Sequence, residues 1–143
     1  MIQLKLNEFR KEVNVKFHVN RDRFIIAKLA RPPEFTEDVF SIVKDENEVT
    51  VVAKEGVKLP SILEEKFFKQ ITFDVTLPFN LTGFLSHISA LLASQNIPIL
   101  VFSAYSTDHI LVREEDLEGA IAVLEKDGIK RSRCQTARQH DDS

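Results

Sequence analysis

Between Phe68 and Cys134 the apolar residues change period in a set order, and that order restricts the possible folds more than any other feature. Phe68 to Thr76 alternates apolar and polar residues, the period of a half-buried strand, and ends at Leu77-Pro78. Leu81, Leu85, Ile88, Leu91 and Leu92 then fall at helical spacing, predicting a helix of about 13 residues with one apolar stripe. Thr82 stands where its hydroxyl can cap the first turn. Asn96 and Pro98 stop the helix. Ile99 to Tyr105 is a near-continuous apolar strand, which predicts a central position with helices over one face. Ser106-Thr107-Asp108 turns the chain, and His109 to Arg113 returns as a strand. Glu114, Glu115 and Asp116 crowd negative charge at the start of a second helix, whose inner stripe is Leu117, Ala120, Ile121 and Leu124. Gly128 ends it, and Ile129 to Cys134 adds an edge strand.

The order is therefore β-α-β-β-α-β, the ferredoxin-like α+β arrangement, with an antiparallel sheet carrying both helices on one face. The other face and the edge strands need cover. The first half offers it. Val13, Val15, Phe17 and Val19 alternate with polar residues, Asn20-Arg21-Asp22 is turn-like, and Phe24 to Leu29 reads as a second strand before Arg31-Pro32-Pro33. Asp38 to Val43 and Glu48 to Ala53 form a hairpin around Lys44-Asp45-Glu46-Asn47. Ser61 to Glu65, after Gly56 and Pro60, reads as one helical turn connecting the halves. The expected organisation is a degenerate N-terminal unit over residues 1–66, a complete unit over 67–134, and a polar, disordered tail over 135–143.

Bulk properties narrow the function. The 143 residues, 43% hydrophobic and 29% charged, are enough for a buried core. The net charge of −3 argues against a partner held by phosphate backbone contacts or an anionic membrane surface. Cys134 is the only cysteine, so no internal disulfide forms. The N-terminal stretch breaks its apolar residues with charges and offers no signal segment, and the longest apolar run, Ile97 to Phe102, is too short to span a bilayer. The default location is the cytoplasm.

A resemblance sharpens this. Leu77-Pro-Phe-Asn-Leu-Thr-Gly-Phe-Leu85, Ala90-Leu-Leu-Ala93, Ile97-Pro-Ile99 and Ser103-Ala-Tyr-Ser-Thr-Asp-His-Ile-Leu-Val112 together resemble an ACT domain. More narrowly they resemble the paired-ACT group that includes CASTOR-type cytosolic arginine sensors. Phe40-Ser-Ile-Val43 with Glu48-Val-Thr-Val-Val52 is similar to that group's abbreviated first unit. The resemblance covers Phe24 to Gly128 and implies tandem ACT-like units, the first degenerate, in a dimer that holds an amino acid or similar small ligand at an ACT–ACT interface. The ligand-binding set it implies is Thr82, Gly83, Phe84, Leu85, Ala104, Tyr105 and Asp108. Ala104 stands where the family usually has threonine, which removes a hydroxyl from that site.

The residues themselves make chemical sense of the site. A helix start at Thr82-Gly83-Phe84 presents unpaired amides and a positive dipole end to a carboxylate, and Gly83 lets a ligand approach the backbone. Asp108 can hold an ammonium or guanidinium by a charge-assisted bond. Plainer roles remain open: Gly83 as a tight strand-to-helix turn, Asp108 as a turn residue capping local amides, Tyr105 as half core and half exposed. Cys134 beside Arg131 and Arg133 is either a reactive thiol or an inert strand residue.

Catalytic signatures do not emerge. His18, His87, His109 and His140 show no metal-ligand spacing, and His87 reads as an exposed or interfacial residue. No phosphate loop, nucleophile elbow or cofactor motif is present. The expectation is a non-enzymatic, cofactor-free regulatory module with a homodimeric or regulatory protein partner. A ligand-free interaction module is the alternative. RNA binding fits poorly, because Phe102 and Tyr105 point to opposite faces of their strand and the chain is acidic.

Overall fold

The structure, a computed structural model, describes residues 4–12, 14–75 and 81–133. Its elements run β1 (Leu4–Lys5), α1 (Leu6–Glu12), β2 (Lys16–Leu29), β3 (Val39–Lys44), β4 (Val49–Lys54), β5 (Ser61–Phe73), β6 (Leu81–Thr82) and α2 (Phe84–Ala93). They continue with β7 (Leu100–Ser103), β8 (Asp108–Arg113), a 3-10 turn (Glu114–Asp116), α3 (Leu117–Lys126) and β9 (Lys130–Arg131).

One sheet of seven strands runs β3-β4-β2-β5-β8-β7, with β9 parallel to the start of β2. The other pairs in that sheet are antiparallel. The alternation in β2, β5 and β8 sends Phe17, Val19, Ile71, Phe73, Ile110 and Val112 to one face, where they meet Phe84, Ile88 and Leu92 of α2 and Ala120 and Leu124 of α3. Each of the larger side chains contributes roughly 1.5–3 kcal/mol by leaving water, so this layer is the main source of stability. The opposite face carries Phe24, Val52, Phe68 and Leu111. The sheet curls until Phe40 of β3 sits edge-on to Phe102 of β7 at 6.1 Å and to His109 of β8 at 5.0 Å. The first half thus covers the face the helices leave bare.

Both long helices end in the same way. Asn96 (φ 57°) and Gly128 (φ 95°) adopt the left-handed conformation. Ile97 N–H then donates to Leu92 O and Ile129 N–H to Leu124 O, both at 3.1 Å, closing the free carbonyls of the last turns.

Several expectations are corrected. The two N-terminal strands are one strand, β2: Asn20-Arg21-Asp22 is a bulge between the pairs Val19–Ile71 and Arg23–Lys69, not a chain reversal. Its turn chemistry is real, since Asp22 N–H donates to Asn20 Oδ1 at 2.9 Å. Ser61 to Glu65 is strand rather than helical turn, because it pairs with Ala27, Lys28 and Leu29 of β2. The strand of Ile99 to Tyr105 is the shorter β7, and it lies at the end of the sheet rather than at its centre. β9 flanks β2, because β2 occupies the place beside β5. α1 was not legible in the sequence. The end of the first expected strand with Leu77-Pro78, as well as Cys134, His140 and the tail 135–143, lies outside the described residues.

Candidate functional site

The start of α2 and the β7–β8 turn face each other across a cavity of about 250 Å³. Its walls include Gly83, Phe84, Leu85, Ala104, Tyr105 and Asp108, six of the seven residues singled out from the sequence. Thr82 is not among them. It pairs with Lys5 in the short parallel β1–β6 ladder, and the cap position it was expected to fill belongs to Gly83. Leu81, Ser86, Ser103, Ser106 and Thr107 complete the lining.

The helix side is built by backbone. Gly83 turns the chain from β6 into α2 at φ 89°. The first intrahelical bond runs from His87 N–H to Gly83 O at 2.9 Å, so the amides of Phe84, Leu85 and Ser86 precede the ladder and carry the positive end of the helix dipole. The Phe84 ring is buried, edge-on against Phe73 at 5.2 Å. A Cβ placed on Gly83 would lie 3.7 Å from Leu6 Cβ, an ordinary contact. The cost of Gly83→Ala is therefore backbone strain, and we expect a loss of about 1–2 kcal/mol in urea denaturation. A loss below about 0.3 kcal/mol would show that the turn does not need left-handed backbone.

The turn side supplies charge. Asp108 Oδ1 accepts a 2.6 Å hydrogen bond from the Ser103 hydroxyl. Its second oxygen makes no hydrogen bond within the described residues. Ala104 N–H donates to Thr107 O at 2.8 Å and closes the turn. Tyr105 is 83% exposed at the rim, so it is not the half-core residue expected, and Leu85 beside it is 42% exposed. His87, expected to be exposed or interfacial, instead ties the helices together through Asp127 Oδ2 at 2.7 Å.

Next to Asp108, His109 points into the curl of the sheet. Its Nδ1 is 2.8 Å from Thr72 Oγ1 and its Nε2 3.4 Å from Thr107 Oγ1. Burial holds its pKa below the ordinary histidine value; Asp108 and Asp74 pull it up, and His18 pushes it down. The unfolded chain then binds more protons than the folded one, so stability rises with pH across this window. The contribution is intact above about pH 6.5 and is lost as pH falls below it. Unfolding free energies at pH 7.5 and 5.5 are expected to differ less in His109→Gln than in the wild type. An identical difference would remove His109 from the account.

The curled antiparallel sheet with helices on one face is a ferredoxin-like fold of the kind found in ACT regulatory domains. Residues 64–126 match the ACT domain family model. A protein from Agobacterium tumefaciens superposes with a TM-score of 0.74 at 23% identity, covering 90% of this chain and 99% of that one. A Vibrio cholerae protein of unknown function, described as a possible transport protein, gives 0.60 at 18% identity over 79% and 89% of the two chains. A proposed C-terminal regulatory domain of aspartate kinase from Porphyromonas gingivalis W83 gives 0.56 at 16% identity over 78% and 95%. At these identities the likeness establishes fold. No curated protein matches the chain. Among the described residues, no helix is long and apolar enough to cross a membrane.

Proposed function

We propose that this chain is a non-catalytic, cytoplasmic regulatory protein that binds a free amino acid in the cleft between the start of α2 and the β7–β8 turn. One observation carries the reading: amides of positive character and a carboxylate line the same small cavity. A free amino acid bears a carboxylate and an ammonium on one carbon. The amides of Phe84, Leu85 and Ser86 suit the first and Asp108 suits the second. At about 250 Å³ the space matches an amino acid better than a drug-sized ligand. The ACT domain match and the aspartate kinase regulatory-domain likeness support a regulatory role. The reading extends to organisation. Residues 67–134 act as the complete ACT unit and residues 1–66 as a degenerate one, in the manner of the paired-ACT, CASTOR-type sensors. A second copy of the chain supplies the missing walls beside the exposed Tyr105 and Leu85.

A second reading, a ligand-free interaction module, is favoured by one observation: the Ser103 hydroxyl already takes up Asp108 Oδ1, and Ala104 brings no hydroxyl of its own. Thermal unfolding against each of the twenty amino acids separates the two. A ligand at 100 times its dissociation constant adds about 2.7 kcal/mol, a rise in midpoint that is easily measured. At least one amino acid is expected to raise the midpoint. No shift at millimolar concentration would leave the interaction module.

A further inference from the structure

We propose that a second cleft, formed by Arg21, Arg131 and Arg133, binds the phosphoryl group of a small soluble molecule. The cleft has a volume of about 480 Å³ and shares no residue with the cavity at α2. The topology assembles it from distant parts of the chain. β9 runs parallel to β2 with Phe17 opposite Arg131, and Ser132 N–H continues the ladder to Phe17 O at 2.7 Å. Arg131 and Arg133, two residues apart on an extended segment, therefore share a side. Val19 of β2 lines the same cleft, and the bulge at residues 20–22 brings Arg21 to it.

The charges are what need an explanation. Some cations of this acidic chain meet carboxylates, Arg23 with Glu55 at 2.6 Å, Lys28 with Glu48 at 3.3 Å and Lys54 with Asp22 at 3.3 Å, while Lys16, Arg31 and Lys58 pair with none among the described residues. What sets the three arginines apart is that they line one cleft. Arg21, Arg131 and Arg133 are exposed and make no ion pair among the described residues. Ser132 also lines the cleft, and its hydroxyl, together with His18 Nδ1, takes up the Asp74 carboxylate, which makes no ion pair with the three arginines. Three like charges around a floor of Val19 and Ser132 repel one another until an anion enters. A carboxylate satisfies one guanidinium fork, whereas a phosphoryl group brings three oxygens and up to two negative charges, enough for all three. The patch is confined to one cleft on a chain of net charge −3, which suits a small anion better than a polyanionic strand or membrane.

Calorimetric titration with pyrophosphate at low ionic strength tests this in the wild type and in the double variant Arg131→Gln, Arg133→Gln. Both positions are exposed, and an unchanged unfolding midpoint checks the fold. Pyrophosphate is expected to bind the wild type, and the double variant at least about tenfold more weakly, a difference of about 1.4 kcal/mol. Sodium chloride of equal ionic strength is expected to give no matching heat of binding. The proposal is overturned by an equal response to chloride or by undiminished binding in the double variant. It is likewise overturned if phosphatidylserine vesicles retain the chain while pyrophosphate does not bind. An amino-acid response at α2 is independent of all these results.

Discussion

Replacing Phe73 with alanine is expected to lower the unfolding free energy by about 3–5 kcal/mol. The ring is 1% exposed at the end of β5, inside the layer formed with Ile88, Leu92 and Leu124. It also stands edge-on to Phe84 with an interplanar angle of 86°, an arrangement that contributes about 0.5–1.5 kcal/mol beyond simple burial. Alanine removes both terms and leaves a void that the helices close only in part. Net stabilities of such domains are about 5–15 kcal/mol, so the variant loses a large fraction of the total. Phe35→Ala is the control, since Phe35 is 67% exposed and its loss is expected to stay within about 0.5 kcal/mol. Urea denaturation reads both. A cost at Phe73 no greater than at Phe35 would mean that the helices do not pack on the sheet as described.

The second large effect concerns the cleft. Asp108→Asn is expected to weaken amino-acid binding about 10- to 100-fold, the loss of one charge-assisted hydrogen bond worth about 1.5–3 kcal/mol. Stability is expected to change little, because the carbonyl oxygen of the substituted amide can still accept from the Ser103 hydroxyl that bonds Asp108 at 2.6 Å. That separation of binding from folding is diagnostic. A merely structural Asp108 would lose stability with no selective effect on ligand. Calorimetric titration beside urea denaturation distinguishes the outcomes, and unchanged affinity would take the carboxylate out of the site.

Legibility followed how strongly each element depends on its own residues. α2 and α3 announce themselves through stripes of five and four apolar residues and left-handed stops at Asn96 and Gly128. The β3–β4 hairpin shows the same local sufficiency, its turn held by Asn47 and Glu48 amides on Asp45 Oδ1. What misled were features with two physical causes. A bulge and a hairpin turn both want Asn and Asp, so residues 20–22 concealed the continuity of β2. The apolar run at Leu100 to Phe102 reflects cover on both faces, helices on one side and Phe40 on the other, rather than a central place in the sheet. Ser61 to Lys66 lacks alternation because this end of β5 is largely exposed. α1 has seven residues and a buried Phe9, so its helicity depends on tertiary contacts that no local pattern records.

The candidate site divides along the same line. Gly83 and Asp108 were visible because each residue type has a distinctive chemistry: backbone freedom in one, a carboxylate in a turn in the other. Ser103, Ser86 and Thr107 were missed, since a serine or threonine gains meaning only when the fold gives its hydroxyl a neighbour. The Arg131–Ser132–Arg133 run is conspicuous for its charge. Only the parallel pairing of β9 with β2 joins it to Arg21, distant in the chain.

The most direct measurement is a crystal structure of the chain grown with a mixture of free amino acids. The expected result is density for one amino acid in the Gly83–Asp108 cleft, its carboxylate on the amides opening α2 and its ammonium on the Asp108 carboxylate. Clear density for the cleft walls, with an amino acid bound elsewhere or in the opposite orientation, would contradict it.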